Sequence, residues 1–310
     1  MSSRLLDIQQ RIQDTNALIK QTERMVSGTS SPSTIANLRS LEKRRQMLEQ
    51  DFYAVTEQHS RDVCSYRMFS LTDRYKLSGF AKALADFQST FSLTYDALRN
   101  GPKQRAVLTP EVEAATGFDF AYTFSGSVGV VLTMPNERLL IGSTWLDDAM
   151  NLVFEMAKAK TPEEIAQYAK KLGAPPIRAL YKWASDHVSA ETGAEIEWRK
   201  DREICGRLLI QEQQLMRLRD AIAATSDETT VVDTFSGTLV GIDKSTKRFR
   251  LEMPDGREIS GTTGDVLGEG HSVVVPSRVS ARIEVKTRVH YSIDKEEKTW
   301  RLMETPTQIS

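Results

Sequence analysis

The segment Phe118-Asp-Phe-Ala-Tyr-Thr-Phe124, followed by Ser125-Gly-Ser127 and Val128-Gly-Val-Val-Leu-Thr-Met134, has a strong β pattern. β-Branched and aromatic residues are enriched on both sides of a Gly-Ser turn, which is typical of a β-hairpin. Residues Arg138 to Ile141 are expected to add a third strand. Because these strands come together before a run of helical patterns, the sequence favours α+β packing over a doubly wound sheet.

Helical patterns lie on both sides of this hairpin. An apolar stripe at helical spacing runs from Leu77 to Leu98 and ends at Asn100-Gly101-Pro102. The stretch Thr161-Pro162-Glu163-Glu164 combines an N-cap residue, a proline at the first helical position and a glutamate at the third. Other elements expected here are a helix from Thr144, a helix over 177–188, a strand over 194–198 and a helix over 207–224. Together they predict an α+β central domain over residues 65–228.

The first sixty residues have the pattern of two amphipathic helices. Apolar side chains recur at alternating steps of three and four, and Gly28-Thr-Ser-Ser-Pro-Ser33 separates the two series. This predicts a coiled-coil-like α-helical hairpin over residues 1–64. Two narrow apolar stripes must pack on each other, on a second copy or on a partner, and a hairpin leaning on its own domain is the alternative. The residues expected at an oligomer or partner interface are Leu5, Ile8, Ile12, Ile19, Leu38, Leu41, Leu48, Phe52 and Val55.

From Val231 onward the sequence changes to β patterns. Pro254-Asp255-Gly256 forms a turn in which proline presets φ and glycine accepts a positive φ. Apolar and polar residues alternate from Val279 to Tyr291, and a last strand is expected over 299–303. Five strands of this kind predict a small all-β barrel, SH3-like or OB-like, over residues 229–310. The expected fold class is therefore α+β multidomain.

Composition excludes several classes of protein. The 310 residues contain 41 Lys and Arg against 42 Asp and Glu, so an electrostatic grip of the whole chain on nucleic acid or an anionic membrane is not indicated. No apolar run is long enough to span a bilayer, and no secretory signal is expected at the N-terminus. Cys64 and Cys205 are far apart, which argues against a disulfide framework and suits a cytoplasmic location.

No motif predicts a catalytic, cofactor-binding or metal-binding residue. The glycines around Gly126 lack the Lys-Ser or Lys-Thr of a P-loop, and those from Gly261 to Gly270 lack the strand and helix of a dinucleotide fingerprint. The four histidines are dispersed without metal-ligand spacing. Cys205 and His187 remain one pair that the fold could bring together as a nucleophile and its base.

A basic stripe is the one sign of nucleic-acid binding. Even-numbered residues of the long C-terminal strand share one face because side chains alternate along a strand. The residues assigned to nucleic-acid contact are Arg248, Arg250, Arg282, Lys286 and Arg288. Glu252 and Glu284 interrupt this stripe, so a solvated barrel exterior is the alternative interpretation. Phe249 and Tyr291, which would stack on bases, fall on the opposite face.

Three further features carry a resemblance. Thr123-Phe-Ser-Gly-Ser-Val-Gly-Val-Val-Leu-Thr133 with Asn136-Glu-Arg-Leu-Leu140 is combined with a terminal barrel containing Phe235-Ser-Gly237 and Met253-Pro-Asp-Gly256. The region after Phe118 thereby resembles uncharacterised bacterial proteins of the accessory genome, some of them linked to phage defence. The resemblance implies no activity and no active-site residue, and it does not extend to the N-terminal hairpin.

The sequence thus favours a non-enzymatic interaction, scaffold or sensor protein of the bacterial cytoplasm, acting in a phage-defence system. Its expected partner is a second copy or another protein, bound through the hairpin, and no membrane or cofactor is expected. A nucleic-acid-binding module centred on the basic stripe is the alternative. An enzyme with an unrecognised site in the central domain is the second alternative.

Overall fold

The structure, a computed structural model, describes residues 3–28, 31–70, 75–123, 128–136, 143–243, 245–264, 266, 274–291 and 296–309. The chain divides into two compact units, Met1–Thr225 and Ser226–Ser310. The N-terminal hairpin, which the sequence analysis separates as residues 1–64, lies in the same unit as the α+β body. The second unit begins three residues before the barrel segment expected at 229.

Within the described residues the first unit has eight helices and one five-stranded sheet. The helices are α1 (Ser3–Gly28), α2 (Pro32–Gln58), α3 (Leu77–Asn100), α4 (Pro110–Thr116), α5 (Trp145–Ala157), α6 (Pro162–Leu172), α7 (Ala174–Ser189) and α8 (Glu212–Ala224). The strands are β1 (Arg61–Phe69), β2 (Asp119–Thr123), β3 (Val128–Pro135), β4 (Gly193–Lys200) and β5 (Glu203–Ile210). The sheet order is β2-β3-β1-β4-β5, and every pairing is antiparallel. The protein is accordingly a mixed α/β protein with an N-terminal helical pair.

Helix starts and ends follow the predicted signals. Thr161 caps α6 by accepting a hydrogen bond from the Glu164 backbone, and Gly173 ends that helix with a φ of 82°. Thr144 and Asp147 form a capping box at the start of α5. Gly101 ends α3 with a φ of 85°. These signals are local, so they fix where helices begin and end without reference to the rest of the fold.

Strands β1 and β5 were not predicted. β1 begins at Arg61, directly after the two-residue turn His59-Ser60 that follows α2. The helix expected over 207–224 was wrong in its first turn, because Arg207 to Ile210 belong to β5 and α8 begins only at Glu212. The three-residue apolar run Leu208-Leu-Ile210 fits a helix or a strand equally well, and pairing with β4 selects the strand. The expected turn over 124–127 and the expected strand over 138–141 lie outside the described residues.

The hairpin packs on the sheet of its own unit. Its buried side chains form one cluster with Val63 of β1, Ala121 and Tyr122 of β2, and Val131 of β3. The hairpin members of this cluster are Leu5, Ile8, Ile12, Leu48, Phe52 and Val55. The Phe52 ring contacts the Tyr122 ring edge to face, with centroids 5.2 Å apart. These six hairpin residues are therefore covered by the same chain. This agrees with the alternative that the hairpin leans on its own domain.

The second unit is a closed five-stranded barrel. Its strands are β6 (Ser226–Asp243), β7 (Arg248–Glu252), β8 (Glu258–Thr262), β9 (Ser277–His290) and β10 (Glu296–Leu302), with β11 (Thr307–Gln308) added along β9. The ring runs β6-β7-β8-β10-β9 and returns to β6. All pairings are antiparallel except β8 with β10, which is parallel.

Alternation along the strands fills the barrel. Leu239, Phe249, Leu251, Val279 and Ile283 are buried among one another. Gly261 has no side chain on this inner face, and a Cβ there would lie 2.3 Å from the carbonyl oxygen of Trp300. The absence of a Cβ at Gly261 is what lets β8 approach β10 closely enough to close the ring.

Candidate functional site

A shallow groove crosses the outer face of the barrel. It has a volume of about 470 Å³ and is lined from four consecutive strands of the ring, β7, β8, β10 and β9. The lining residues are Arg248, Ser260, Gly261, Thr262, Glu284, Lys286, Lys298, Thr299, Trp300 and Arg301. Four of these side chains are cationic and one is acidic, so the groove concentrates positive charge on a chain whose net charge is −1.

Strand register explains why these side chains meet. Arg248 lies opposite Thr262, Thr262 opposite Arg301, and Arg301 opposite Glu284, which forms one continuous row across the four strands. Residues directly opposite each other in a sheet point to the same side. Arg248 and Arg301 are both exposed. The row therefore presents two guanidinium groups with a threonine hydroxyl between them.

A second row lies beside the first. Two residues before Arg301, Thr299 lies opposite Lys286 on β9, and two residues before Thr262, Ser260 lies opposite Arg250 on β7. Hydroxyl groups again lie between cations. Neither Arg248 nor Arg301 forms a salt bridge with any residue in the described ranges. This arrangement offers bidentate donors and hydroxyl donors to an anion with several oxygen atoms.

The structure places the five predicted contact residues at different points. Arg248 and Lys286 line the groove, and Arg250 is exposed next to it on the same face of β7. Arg282 lies opposite Thr234 of β6, outside the groove lining. Arg288 lies opposite Glu297 and its Nε donates to the Ser226 hydroxyl at 3.4 Å.

Arg301 and Lys298 are functional candidates that the sequence reasoning missed. They belong to the last long strand, whose alternation of polar and apolar residues was visible in Thr299-Trp-Arg-Leu302. The alternation alone does not predict that Arg301 and Lys298 line a groove with Arg248, because that depends on which strands β10 pairs with. The parallel pairing of β10 with β8 places Arg301 two strands away from Arg248.

The four Phe, Tyr and Trp side chains of the barrel segment are buried or half-buried. Phe249 and Tyr291 are buried, as the sequence predicted. Trp300 lies opposite Val285 on the inner side, and its ring contacts the Phe235 ring edge to face at 5.4 Å. Trp300 packs against the barrel core through this side chain. Trp300, half-buried, is the one aromatic side chain among the lining residues, which otherwise offer charge and hydroxyl groups.

A smaller groove of about 260 Å³ lies between α2 and the first sheet. Its charges pair with one another: Arg45 Nε is 3.7 Å from Glu49 Oε1, and Arg67 Nη1 is 3.5 Å from Glu195 Oε2. Burial raises the pKa of Glu49, with Arg45 and Arg199 opposing the shift. Positive and negative groups therefore compensate one another within this smaller groove.

The predicted interface residues of the hairpin occupy two environments. Leu5, Ile8, Ile12, Ile19, Leu48, Phe52 and Val55 are buried within the chain. Leu38 and Leu41 are half-buried. Of the nine predicted interface residues, only Leu38 and Leu41 therefore leave part of their apolar surface exposed to solvent.

His187 does not meet Cys205. The His187 ring lies in a fully buried network: its Nε2 is 2.6 Å from the Tyr66 hydroxyl, which accepts from Trp183 Nε1 at 2.8 Å, and its Nδ1 is 3.0 Å from the Thr192 hydroxyl. Burial lowers the pKa of His187 to about 3, so the ring is neutral. Burial also raises the pKa of the Cys205 thiol, whose Sγ contacts the Glu203 carbonyl at 3.7 Å. A neutral buried imidazole and an unactivated thiol are typical of structural roles.

Asp62 is a buried carboxyl group of the first unit. It is 1% exposed on β1 and accepts a hydrogen bond from the Asn136 side chain. Burial raises the pKa of Asp62 to about 7, with Lys200 opposing the shift. Lys200 Nζ is itself paired with Asp147 Oδ2 at 2.6 Å. In the described ranges, no three His, Cys, Asp or Glu side chains are grouped closely enough to hold a metal ion.

Comparison with known proteins gives no relative. A scan against models of protein families, a search of curated proteins and a search of solved structures each find no match. Among the described helices, none combines the length and the apolar character that a membrane crossing requires.

Proposed function

We propose that the C-terminal barrel binds single-stranded nucleic acid along the groove between β7 and β9. The observation that carries this proposal is the groove itself, in which four cations from three strands meet one carboxylate. Proteins that bind single strands without sequence preference hold the backbone in a positively charged groove, and the OB-fold barrel is one scaffold for such a groove. Because the whole chain has a net charge of −1, the attraction depends on this local grouping of cations.

The strand order supports an OB-like type for the barrel. Four strands in the spatial order β9-β6-β7-β8 correspond to the Greek-key order 4-1-2-3, and the fifth strand, β10, closes the ring. The OB-fold is a five-stranded Greek-key barrel that binds oligonucleotides on its second and third strands. Here those strands are β7 and β8, which contribute Arg248, Ser260 and Thr262 to the groove.

Binding of a fluorescent oligodeoxynucleotide to the full chain, measured by anisotropy at low and moderate salt, tests the proposal. We expect binding at low salt that weakens as salt rises, since each phosphate contact releases counterions. The double variant Arg248→Glu with Arg301→Glu should reduce affinity by at least tenfold. Both residues are exposed, so the variant is expected to fold, which circular dichroism would verify.

Arg257→Glu is the matched control. Arg257 is an exposed arginine of the same unit, but it lies in the turn before β8, where it pairs with Asp255 at 2.7 Å. The charge change per residue is the same, and the groove is untouched. Absence of binding at low salt, or equal losses in the groove and control variants, would refute the proposed function.

A second candidate is self-association or protein docking through the far end of the hairpin, in a scaffold or sensor of the bacterial cytoplasm that serves phage defence. The half-buried Leu38 and Leu41 favour it, because they are the seam residues whose apolar surface is not fully covered. Two free cysteines, one buried and one exposed, suit a reducing compartment. Its test is the native mass of Leu38→Glu with Leu41→Glu: an oligomeric wild type and a variant of 34.9 kDa would support it, and equal masses would exclude this surface.

A further inference from the structure

We infer that the barrel groove recognises a short run of phosphate groups and makes no use of the bases, so that its ligand class is a linear chain of phosphates. This inference rests on the proposed function and narrows it. It goes further because groove-binding alone leaves open whether affinity comes from base stacking, from base edges or from the backbone.

The positions of the aromatic side chains are the first support. Stacking on Phe, Tyr, Trp or Arg planes is how proteins usually hold the bases of single strands. The barrel segment contains four such aromatic residues, and all four are buried or half-buried toward its core: Phe235, Phe249, Tyr291 and Trp300. Trp300 is the one of the four that lines the groove, and its half-buried ring contacts the Phe235 ring edge to face. The groove therefore lacks the series of exposed aromatic rings on which successive bases stack.

The order of the polar groups is the second support. Across the first row a guanidinium, a hydroxyl and a second guanidinium follow one another, in Arg248, Thr262 and Arg301. Neighbouring strands are about 4.8 Å apart, so the backbones of Arg248 and Arg301 are roughly 10 Å apart with one hydroxyl between them. Guanidinium groups form bidentate hydrogen bonds with phosphate oxygens, and hydroxyl groups donate to the same oxygens.

The distribution of acceptors is the third support. Reading the edges of all four bases uses both donors and acceptors on the protein, because adenine and cytosine present amino groups that need an acceptor. Glu284 is the one carboxylate among the lining residues, and it lies at the β9 side of the row, opposite Arg301. Arg248, Thr262 and Arg301 supply mainly hydrogen-bond donors. This chemistry matches phosphate oxygens, which only accept.

Three probes separate the phosphates from the bases: a deoxythymidine oligonucleotide, an abasic oligodeoxynucleotide of the same length, and inorganic tripolyphosphate. With the full chain, we expect the abasic strand to bind within about twofold of the deoxythymidine strand. We also expect tripolyphosphate to compete with both, and Arg248→Gln with Arg301→Gln to weaken all three. For single strands the slope of log K against log salt is about −0.7 per phosphate contact, so this double variant should reduce the slope by about 1.4.

Arg257→Gln is the matched control for the double variant. Arg257 lies outside the groove, where it pairs with Asp255 at 2.7 Å, so its replacement should leave the affinities for all three probes and the salt slope unchanged. Equal losses in Arg257→Gln and in the double variant would overturn the inference, because the effect would then not come from the groove.

The outcomes distinguish this inference from the proposed function. If the deoxythymidine strand binds and the abasic strand binds at least tenfold more weakly, the inference fails and the proposed function stands. If tripolyphosphate binds in a manner that depends on Arg248 and Arg301 while neither strand binds, the phosphate site stands and the proposed function fails. If none of the three probes binds at low salt, both fail.

Discussion

The two halves of the N-terminal hairpin share one sequence pattern and have different surroundings. In the basal half, Leu5, Ile8 and Ile12 of α1 and Leu48, Phe52 and Val55 of α2 form one cluster with β1, β2 and β3. In the distal half, Ile19 is buried but lies outside this cluster, and Leu38 and Leu41 are half-buried. The apolar period predicts which face of each helix is buried, and it does not predict what covers that face.

This difference changes which part of the apolar stripe of the hairpin needs a partner. In the basal half, a sheet of the same unit supplies the partner that an amphipathic helix requires. A deletion of residues 1–60 would therefore expose Val63 and Val131 of the sheet, and would not serve as a clean test of self-association. Point substitutions compare the two halves without removing this cover.

The largest effect is expected from Phe52→Ala in the basal half. Phe52 is fully buried and its ring contacts Tyr122, so truncation leaves a cavity and removes the ring contact. Truncations of this kind lower the free energy of unfolding by about 3–5 kcal/mol. Denaturant unfolding of the first unit measures it, with Phe52→Leu as the matched smaller change. A loss below about 1 kcal/mol would show that the hairpin is not part of this core.

An effect of comparable size that depends on pH is expected from Asp62→Asn in β1, the strand on which the basal half rests. The pKa of Asp62 is raised from 3.8 to about 7, so between these values the folded state binds a proton that the unfolded state does not. The free energy of unfolding therefore falls as pH rises from about 4 to 8, by a contribution of about 4 kcal/mol. The asparagine variant should lose most of this slope and be more stable than wild type at pH 8.

Asp51→Asn is the control for that measurement, since Asp51 is an exposed carboxyl of α2. Its pH dependence should match that of wild type. Identical slopes for the Asp62 variant and wild type would contradict the buried carboxyl as the source of the pH dependence.

The smallest effect is expected from Leu41→Ala in the distal half. Leu41 is half-buried and lies outside the basal cluster, so little surface is lost and solvent fills the space. We expect a loss of about 1 kcal/mol or less. The same denaturant experiment compares it with Phe52→Ala, and a loss as large as that of Phe52→Ala would remove the distinction between the two halves.

Local signals made much of the fold predictable. The capping pattern at Thr161 and the alternation along β9 each act over a few residues, and both gave the right element. β1 and β5 were missed because their short apolar runs fit two structures, and pairing with β3 and β4 decides between them. The candidate site was predictable in part for the same reason. Arg248 and Lys286 lie on strands with clear alternation, whereas Arg301 lies near Arg248 because β10 pairs with β8.

That single parallel pairing has a consequence for energetics. Arg248 lies on β7, next to β8, and Arg301 lies on β10, on the other side of the β8–β10 pairing. An anion held by both arginines therefore spans the pairing that closes the ring. Such an anion binds the closed barrel and has no matching site on an open one. By mass action, a higher concentration of the anion would raise the melting temperature of the barrel. The melting temperature of the first unit would not change.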